Sequence, residues 1–194
     1  MYTICMATIG KTIILFGLKS SFKSAHGQQL AKHFELPFYD TDYVIQKMAG
    51  ISPQEIYVNQ GVSAFMQAEE AACKKIIEVT KDKNAIISTG GDICCNPPAL
   101  NYLRTKGDFY LIKTNPQVSV DMIMKMVHEP QPGFFTNIPF YIVGKNPETL
   151  DEIAKILLDT FSERQRTFEA IADKIIEIKN ASQADDYNTI LEAL

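Results

Sequence analysis

Short runs of β-branched and aliphatic residues alternate with helical patterns along the chain, and this alternation restricts the fold more than any other feature. Five segments have a strand pattern, namely residues 12–16, 37–39, 85–88, 108–113 and 175–178. The clearest helical pattern runs from Leu150 to Phe161, where apolar residues recur on one face. Strands that alternate with helices form parallel sheets covered on both faces. We therefore predict an α/β fold with a five-stranded parallel sheet, whose ligands bind at the carboxyl ends of the strands.

Local signals place the other helices. Ser52, Pro53 and Glu55 form a capping box with proline at the first helical position, so a helix begins there. Further helices are predicted at residues 23–34, 62–81, 98–106, 116–128 and 184–193. The segment 128–139 contains three prolines and one glycine without periodicity, and we predict a loop there.

Composition and charge exclude several classes of protein. A length of 194 residues favours one domain, and the net charge of −4 argues against a nucleic-acid-binding surface. No apolar run approaches the ~18 residues that cross a bilayer, and the N-terminus lacks the pattern of a signal peptide. The four cysteines fit neither a zinc site nor a disulfide framework. We expect a cytoplasmic monomer that binds neither nucleic acid nor membrane, with an N-terminal extension over residues 1–10 and one domain over residues 11–194.

The segment after the first strand has the pattern of a phosphate-binding loop. Gly17, Lys23 and Ser24 match the motif G-x-x-x-x-G-K-[ST], in the required position between a strand and a helix. In such loops the backbone amides hold phosphate, the lysine reaches the terminal phosphates and the hydroxyl binds Mg²⁺. We therefore predict that this loop, which includes Ser20 and Ser21, binds ATP. The alternative is a plain strand-to-helix turn.

Phe22 stands at the second glycine of this motif. Glycine serves there because the backbone approaches phosphate closely or takes a conformation that other residues avoid. A phenylalanine at positive φ adds a bulky ring and strain of about 1–3 kcal/mol. We expect the substitution to weaken nucleotide binding.

Asp40 and Asp42 lie two residues apart at the end of the second predicted strand, so their side chains point to the same side. Paired carboxylates beside a phosphate loop have two natural roles. One helps to hold Mg²⁺ through its water shell, and the other accepts a hydrogen bond from the attacking hydroxyl. The alternative is a solvated turn in which Asp42 caps the next helix.

Four further motifs have the order and spacing found in shikimate kinases. They are Leu36-Pro-Phe-Tyr-Asp40-Thr-Asp42, Phe65-x-x-x-Glu69, Ser88-Thr-Gly90-Gly91 and Arg164-x-x-x-Phe168-x-x-x-Ala172-Asp173. With the phosphate loop, they make residues 11–178 resemble the shikimate kinase family, which has the P-loop kinase fold of nucleoside monophosphate kinases. The resemblance implies a kinase that uses ATP and Mg²⁺ to phosphorylate a small polyhydroxylated acceptor, by default shikimate, under a short lid at about 128–140.

The resemblance also assigns roles to individual residues. Near the phosphate loop, it implies catalytic roles for Lys23 and Asp42 and Mg²⁺ binding by Ser24 and Asp40. On the acceptor side, it implies that Asp42 holds the hydroxyl that is phosphorylated and that Arg164 reaches the acceptor's carboxylate.

Gly90 and Gly91 match two glycines of the family that let the acceptor ring approach the backbone. The residues alone leave simpler interpretations open. Gly90 and Gly91 also suit an ordinary turn after a strand, and Arg164 also suits a solvated position on a helix surface.

Three positions on the acceptor side depart from the family pattern. Met66 and Gln131 stand where the family has arginines, and Asp92 stands where it has a third glycine. Glu69 therefore lacks the arginine that it would orient. We expect a pocket that is less positive than that of a shikimate kinase, with Arg164 as its single guanidinium.

These losses leave two alternatives to phosphorylation of shikimate. One is a catalytically inactive family member that serves as a binding or regulatory module, and the other is a kinase for a less acidic acceptor. Lys125 or Lys145 near the lid could replace a missing positive charge, although a lysine cannot form the bidentate pair of an arginine.

Overall fold

Five parallel strands form the central sheet of the chain, which a computed structural model describes over residues 10–179 and 183–194. In these segments the strands are β1 (Thr12–Phe16), β2 (Phe38–Asp40), β3 (Ile86–Ser88), β4 (Gly107–Lys113), β5 (His128–Gln131), β6 (Phe134–Thr136) and β7 (Lys174–Glu177). The parallel sheet has the order β2-β3-β1-β4-β7, whereas β5 and β6 form a separate antiparallel hairpin. The predicted five-stranded parallel sheet is therefore confirmed, with β1 at its centre.

Helices cover both faces of the sheet. In the described segments they are α1 (Lys23–His33), α2 (Thr41–Ala49), α3 (Pro53–Gln60), α4 (Val62–Val79), α5 (Pro97–Arg104), α6 (Pro116–Met124), α7 (Phe140–Val143), α8 (Leu150–Ile171) and α9 (Gln183–Ala193). The strand β1 contributes to two cores, because successive side chains point to opposite faces. Ile14 belongs to one core with Phe168 of α8, and Leu15 belongs to the other with Leu30 of α1 and Ile190 of α9. None of the described helices combines the length and the apolar character needed to cross a membrane.

The observed elements differ from the predicted ones in several places, which include the short helix α7, absent from the predicted elements. The predicted loop at 128–139 is wrong, because β5 and β6 pair there around a turn at Gly133, where φ is 75°. All four residues of β5 are exposed, so no apolar alternation marks this strand in the sequence. The helix α2 has no counterpart among the predicted elements, whereas the capping box of Ser52 and Glu55 is present at the start of α3.

The hairpin of β5 and β6 occupies most of the segment predicted as the lid, residues 128–140. The predicted N-terminal extension covers residues 1–10, and residues 1–9 lie outside the described part of the chain. The division into this extension and one domain over residues 11–194 stays a prediction.

The contact between β1 and β4 generates a test of the sheet. A Cβ added to Gly107 would lie 2.1 Å from the carbonyl oxygen of Thr12, a backbone atom that cannot move without disturbing β1. We expect Gly107→Ala to lower the free energy of unfolding by about 1–3 kcal/mol in urea denaturation. Gly144→Ala is the matched control, since its Cβ would meet nothing within 4 Å and its φ is −69°. Equal stability of the two variants would contradict the close pairing of β1 and β4.

Candidate active site

The carboxyl ends of β1, β2 and β3 meet at one edge of the sheet. Ser88 of β3 pairs with Leu15 of β1 and with Asp40 of β2, so the segments that follow these strands lie side by side. They line a cleft of about 340 Å³, called the P-loop cleft below. Six of the predicted site residues line it, namely Ser20, Lys23, Ser24, Asp42, Gly90 and Gly91.

Three residues of the loop after β1 have positive φ. Gly17 has a φ of 142°, and a Cβ there would lie 2.7 Å from the carbonyl oxygen of Ile112, so only glycine fits. Ser20 and Phe22 have φ values of 68° and 55°. The position of the motif's second glycine therefore has a positive φ, and in this chain Phe22 adopts it. A bulky residue is a rare occupant of this region, and such a conformation costs about 1–3 kcal/mol.

Lys23 points into the loop itself. Its side chain is buried, and Nζ donates hydrogen bonds to the carbonyl oxygen of Leu18 at 2.7 Å and to the hydroxyl of Ser21 at 3.2 Å. The Ser21 hydroxyl donates to the same carbonyl oxygen at 2.9 Å, so the side chain of Ser21 stabilises the loop. Burial lowers the pKa of Lys23 to about 8, while the carboxylates of Asp42 and Asp40 oppose the shift. Lys23 is therefore still a cation at neutral pH.

Ser24 and Asp40 meet beside the loop although 16 positions separate them. The Ser24 hydroxyl donates to Asp40 Oδ2 at 2.5 Å, and the hydroxyl of Ser88 lies 3.4 Å from that of Ser24. The other oxygen of Asp40 accepts hydrogen bonds from the backbone N–H groups of Asp42 at 3.0 Å and Tyr43 at 3.2 Å. Asp40, not Asp42, is therefore the N-cap of α2. The neighbouring oxygens of Ser24 and Asp40 are hard ligands that suit Mg²⁺.

Asp42 is open to solvent on one side, but its carboxylate is crowded by the turn after β3. A Cβ added to Gly90 would lie 2.8 Å from Asp42 Oδ1. Burial of the carboxylate, followed by the charge of Asp40, raises the pKa of Asp42 to about 6. Asp42 is therefore a carboxylate at neutral pH and a stronger base than an ordinary aspartate.

Two residues at this edge of the sheet had no signal in the sequence. Thr41 is buried, and its hydroxyl oxygen accepts a hydrogen bond from the N–H of Gly90 at 3.0 Å. Lys19 approaches Gly91 so closely that a Cβ on Gly91 would lie 3.1 Å from the backbone nitrogen of Lys19. Both contacts join segments that are distant in the chain, so only the folded structure reveals them.

Arg164 does not line the P-loop cleft. It lines a cavity of about 160 Å³, called the inner cavity below. The lining of the inner cavity includes Met66, Glu69, Asp92, Tyr141 and Arg164. A middle cavity of about 100 Å³ shares Asp42, Gly90 and Gly91 with the P-loop cleft, and Asp92 and Tyr141 with the inner cavity. The three spaces are therefore neighbours, and the middle cavity joins the predicted phosphate side to the predicted acceptor side.

The guanidinium of Arg164 is already paired with a carboxylate of the same chain. Its Nη1 donates a hydrogen bond to Asp92 Oδ1, and its carbon lies 4.4 Å from the centre of the Tyr141 ring. The side chains of Arg164 and Asp92 are 12% and 19% exposed. Burial opposes the charge of Arg164, but the Asp92 carboxylate together with Tyr141 and the two neighbouring cysteines raises its pKa on balance. Arg164 is therefore a nearly buried, paired cation rather than a solvated helix residue.

Glu69 is a fully buried carboxyl group without a cation beside it in the described ion pairs. The amide of Asn96 donates hydrogen bonds to Glu69 Oε2 and to the carbonyl oxygen of Met66, both at 2.9 Å. Within the described residues, Oε1 of Glu69 has no hydrogen-bond partner. Burial raises the pKa of Glu69 to about 8 although the Asn96 hydrogen bond opposes the shift. Glu69 is therefore mostly protonated at neutral pH.

Lysines rather than an arginine line a further cleft beside the β5–β6 hairpin. Lys19, Lys125 and His128 are among the residues that line this space of about 490 Å³. Gln131 is exposed in β5 and is not among these lining residues, and neither is Lys145. Of the two lysines considered as replacements for a lid arginine, Lys125 thus has the better position.

A parallel sheet with a lysine-bearing loop after its central strand, accompanied by a separate short hairpin, is the architecture of a phosphotransferase of the P-loop kinase type. The shikimate kinase family model matches residues 19–194 of the chain. A shikimate kinase of Caldanaerobacter subterraneus subsp. tengcongensis is 30% identical over 166 residues, which cover 86% of this chain and 94% of the relative. The chain therefore belongs to the shikimate kinase family, whose members are phosphotransferases that act on a hydroxyl group.

Solved structures agree with this fold. The shikimate kinase from Acinetobacter baumannii in complex with shikimate has a TM-score of 0.73 at 20% identity, over 96% of this chain and 93% of that one. The shikimate kinase from Aquifex aeolicus has a TM-score of 0.61 at 27% identity, over 93% of this chain and 94% of that one.

The left-handed backbone of Phe22 generates a prediction about nucleotide binding. We expect Phe22→Gly to bind ATP with Mg²⁺ more tightly in calorimetric titration, because it removes the ring from the loop that phosphate would approach and makes that loop more adaptable. Phe22 already has a positive φ in this structure, so release of its strain of about 1–3 kcal/mol raises the free energy of unfolding rather than the affinity. Phe22→Ala is the matched control, since it removes the ring but keeps a Cβ. No gain in a folded Phe22→Gly protein would refute this steric explanation.

The buried Glu69 generates a prediction about stability and pH. Its pKa is about 8 in the folded chain against an ordinary value of 4.5, so the folded state holds a proton that the unfolded chain releases between these values. Stability from this group is present below about pH 4.5 and is lost as the pH rises to about 8. Glu69→Gln abolishes this titration, and we expect it to be more stable than the wild type at pH 7 by up to roughly 3 kcal/mol. Thermal unfolding from pH 4 to pH 9 checks this, and parallel profiles for the two proteins would contradict it.

Proposed function

We propose that this chain transfers the γ-phosphoryl group of ATP to a hydroxyl group of a small polyhydroxylated acceptor. The observation that carries the proposal is the arrangement at one edge of the sheet, where Lys23, the Ser24–Asp40 pair and Asp42 surround the P-loop cleft. Family membership makes shikimate the first acceptor to test.

On the phosphate side, Lys23 binds the terminal phosphates. To do so, its Nζ exchanges the carbonyl oxygen of Leu18 for phosphate oxygens, a small movement within the same loop. The oxygens of Ser24 and Asp40 would hold Mg²⁺, directly or through its water shell. Bound Mg²⁺ supplies positive charge that offsets the charge developing on the transferred group.

On the acceptor side, Asp42 accepts the proton of the attacking hydroxyl. The raised pKa of about 6 favours this role, because the group is ionised at neutral pH yet holds a proton better than an ordinary aspartate does. Gly90 supports it sterically, since any side chain there would collide with the Asp42 carboxylate.

A binding module without turnover is the second candidate function. The observation that favours it is the left-handed Phe22 in the loop that would hold phosphate. The two functions differ in whether ATP is consumed when an acceptor is present.

Release of ADP that depends on acceptor and Mg²⁺ is the direct test, measured in a coupled assay with shikimate at saturating ATP. We expect Asp42→Asn to lower kcat by about 10²- to 10⁴-fold, the usual contribution of a general base, while ATP binding persists. The matched control is Asp82→Asn, because Asp82 is an exposed aspartate in the turn after α4. A wild-type protein that binds ATP with Mg²⁺ but releases no ADP with any polyhydroxylated acceptor would be a binding module.

A further inference from the structure

The geometry points to an acceptor that carries no carboxylate: Asp92 acts as a built-in carboxylate for Arg164, and the acceptor site therefore selects a neutral polyhydroxylated molecule over an anionic one such as shikimate. This inference rests on the proposed kinase function. It concerns the class of acceptor, and its test is separate from the test of phosphoryl transfer.

The first step is that the guanidinium of the site already donates a hydrogen bond to a carboxylate of the same chain. Among the described residues that line the P-loop cleft, the middle cavity and the inner cavity, Arg164 is the single arginine. Asp92 binds one edge of it, and Tyr141 covers one face. If an anionic acceptor paired with this guanidinium, the Asp92 carboxylate would be left unpaired in a largely buried position, which is strongly unfavourable.

The second step is that Asp92 is held in place by ordinary backbone geometry. Its φ and ψ are −108° and 0°, which an aspartate adopts without strain. Its carbonyl oxygen accepts a hydrogen bond from the N–H of Cys95 at 2.8 Å, which closes a short 3₁₀ turn over residues 93–95. The backbone that carries Asp92 is therefore unstrained, and the carboxylate is held by its ion pair with Arg164.

The third step is that the inner cavity offers no net positive charge to an anionic ligand. Among its lining residues, the guanidinium of Arg164 is paired with Asp92, and the carboxyl group of Glu69 is mostly protonated at neutral pH. Met66 adds no charge, and its carbonyl oxygen is bound by Asn96. A ligand carboxylate would add a further negative charge to this space, whereas a neutral ligand would not.

The fourth step is that the cavities still offer polar groups to hydroxyls. Glu69 Oε1 has no hydrogen-bond partner among the described residues although it is buried, and it lies 3.4 Å from the Cβ position of Gly90, in the direction of Asp42. Asp42 lines the middle cavity together with Lys19. These side chains can donate to and accept from hydroxyl groups without any counter-charge on the ligand.

A matched pair of acceptors tests the inference: shikimate and its methyl ester, which has the same ring and hydroxyls without the negative charge. The readout is the ratio of kcat/KM for the ester to that for the acid. We expect the wild type to prefer the ester by at least about tenfold, the value of one charge-assisted hydrogen bond.

Asp92→Gly frees Arg164, so we expect this variant to reverse the preference through a lower KM for shikimate. Asp92→Asn keeps the size of the side chain and should shift the ratio in the same direction, whereas Asp82→Asn should not change it.

Met66→Arg in the Asp92→Gly background should lower the KM for shikimate further, since Glu69 can then pair with the new guanidinium one helical turn away.

The inference is overturned if the wild type has equal kcat/KM values for shikimate and its ester and these values are unchanged in Asp92→Gly and Asp92→Asn. That outcome would leave the kinase function intact. If no protein releases ADP with either acceptor, the kinase function fails instead. Calorimetric binding of shikimate then decides the inference, which requires tighter binding by folded Asp92→Gly or Asp92→Asn than by the wild type.

Discussion

Ser88 pairs with Leu15 on one side and with Asp40 on the other, and this register aligns the carboxyl ends of three neighbouring strands. Because the strands are parallel, each of them delivers its following segment to the same edge of the sheet. Ser24 can therefore bind Asp40, and the N–H of Gly90 can bind Thr41, across large separations in the chain. The chemistry of the site thus depends on backbone pairing before it depends on any single side chain.

Two carboxyl groups of the inner cavity avoid an unpaired buried charge by different routes. Asp92 forms an ion pair with Arg164, whereas Glu69 has no cation beside it among the described residues and is favoured in its protonated form. A buried ion in a protein either finds a partner or becomes neutral. The inner cavity consequently reaches approximate neutrality with groups of the chain alone, which removes the attraction that a positive pocket would exert on an anionic acceptor.

Much of the fold could be predicted from periodicity and local signals, because those reflect burial and capping that neighbouring residues determine. The five parallel strands and the capping box at Ser52 are of this kind. The strand β5 could not be predicted, since its four exposed residues leave no apolar pattern. In the site, the motifs indicated that Lys23, Ser24 and Asp42 would come together. The resemblance placed Asp92 and Arg164 on the same acceptor side, but their direct pairing could not be predicted, because it depends on side-chain geometry that joins two charges 72 positions apart.

The phosphate loop shows why a motif that fails at one glycine can still belong to a folded loop. The positive φ of Phe22 is maintained by the contacts of the residues around it. Ser21 and Lys23 both donate to the carbonyl oxygen of Leu18, and Gly17 packs against the backbone of β4. Strain of this kind survives where the surroundings determine the conformation. Loss of the glycine therefore hinders the approach of a phosphate group and makes the loop less adaptable, but it does not prevent the loop from forming.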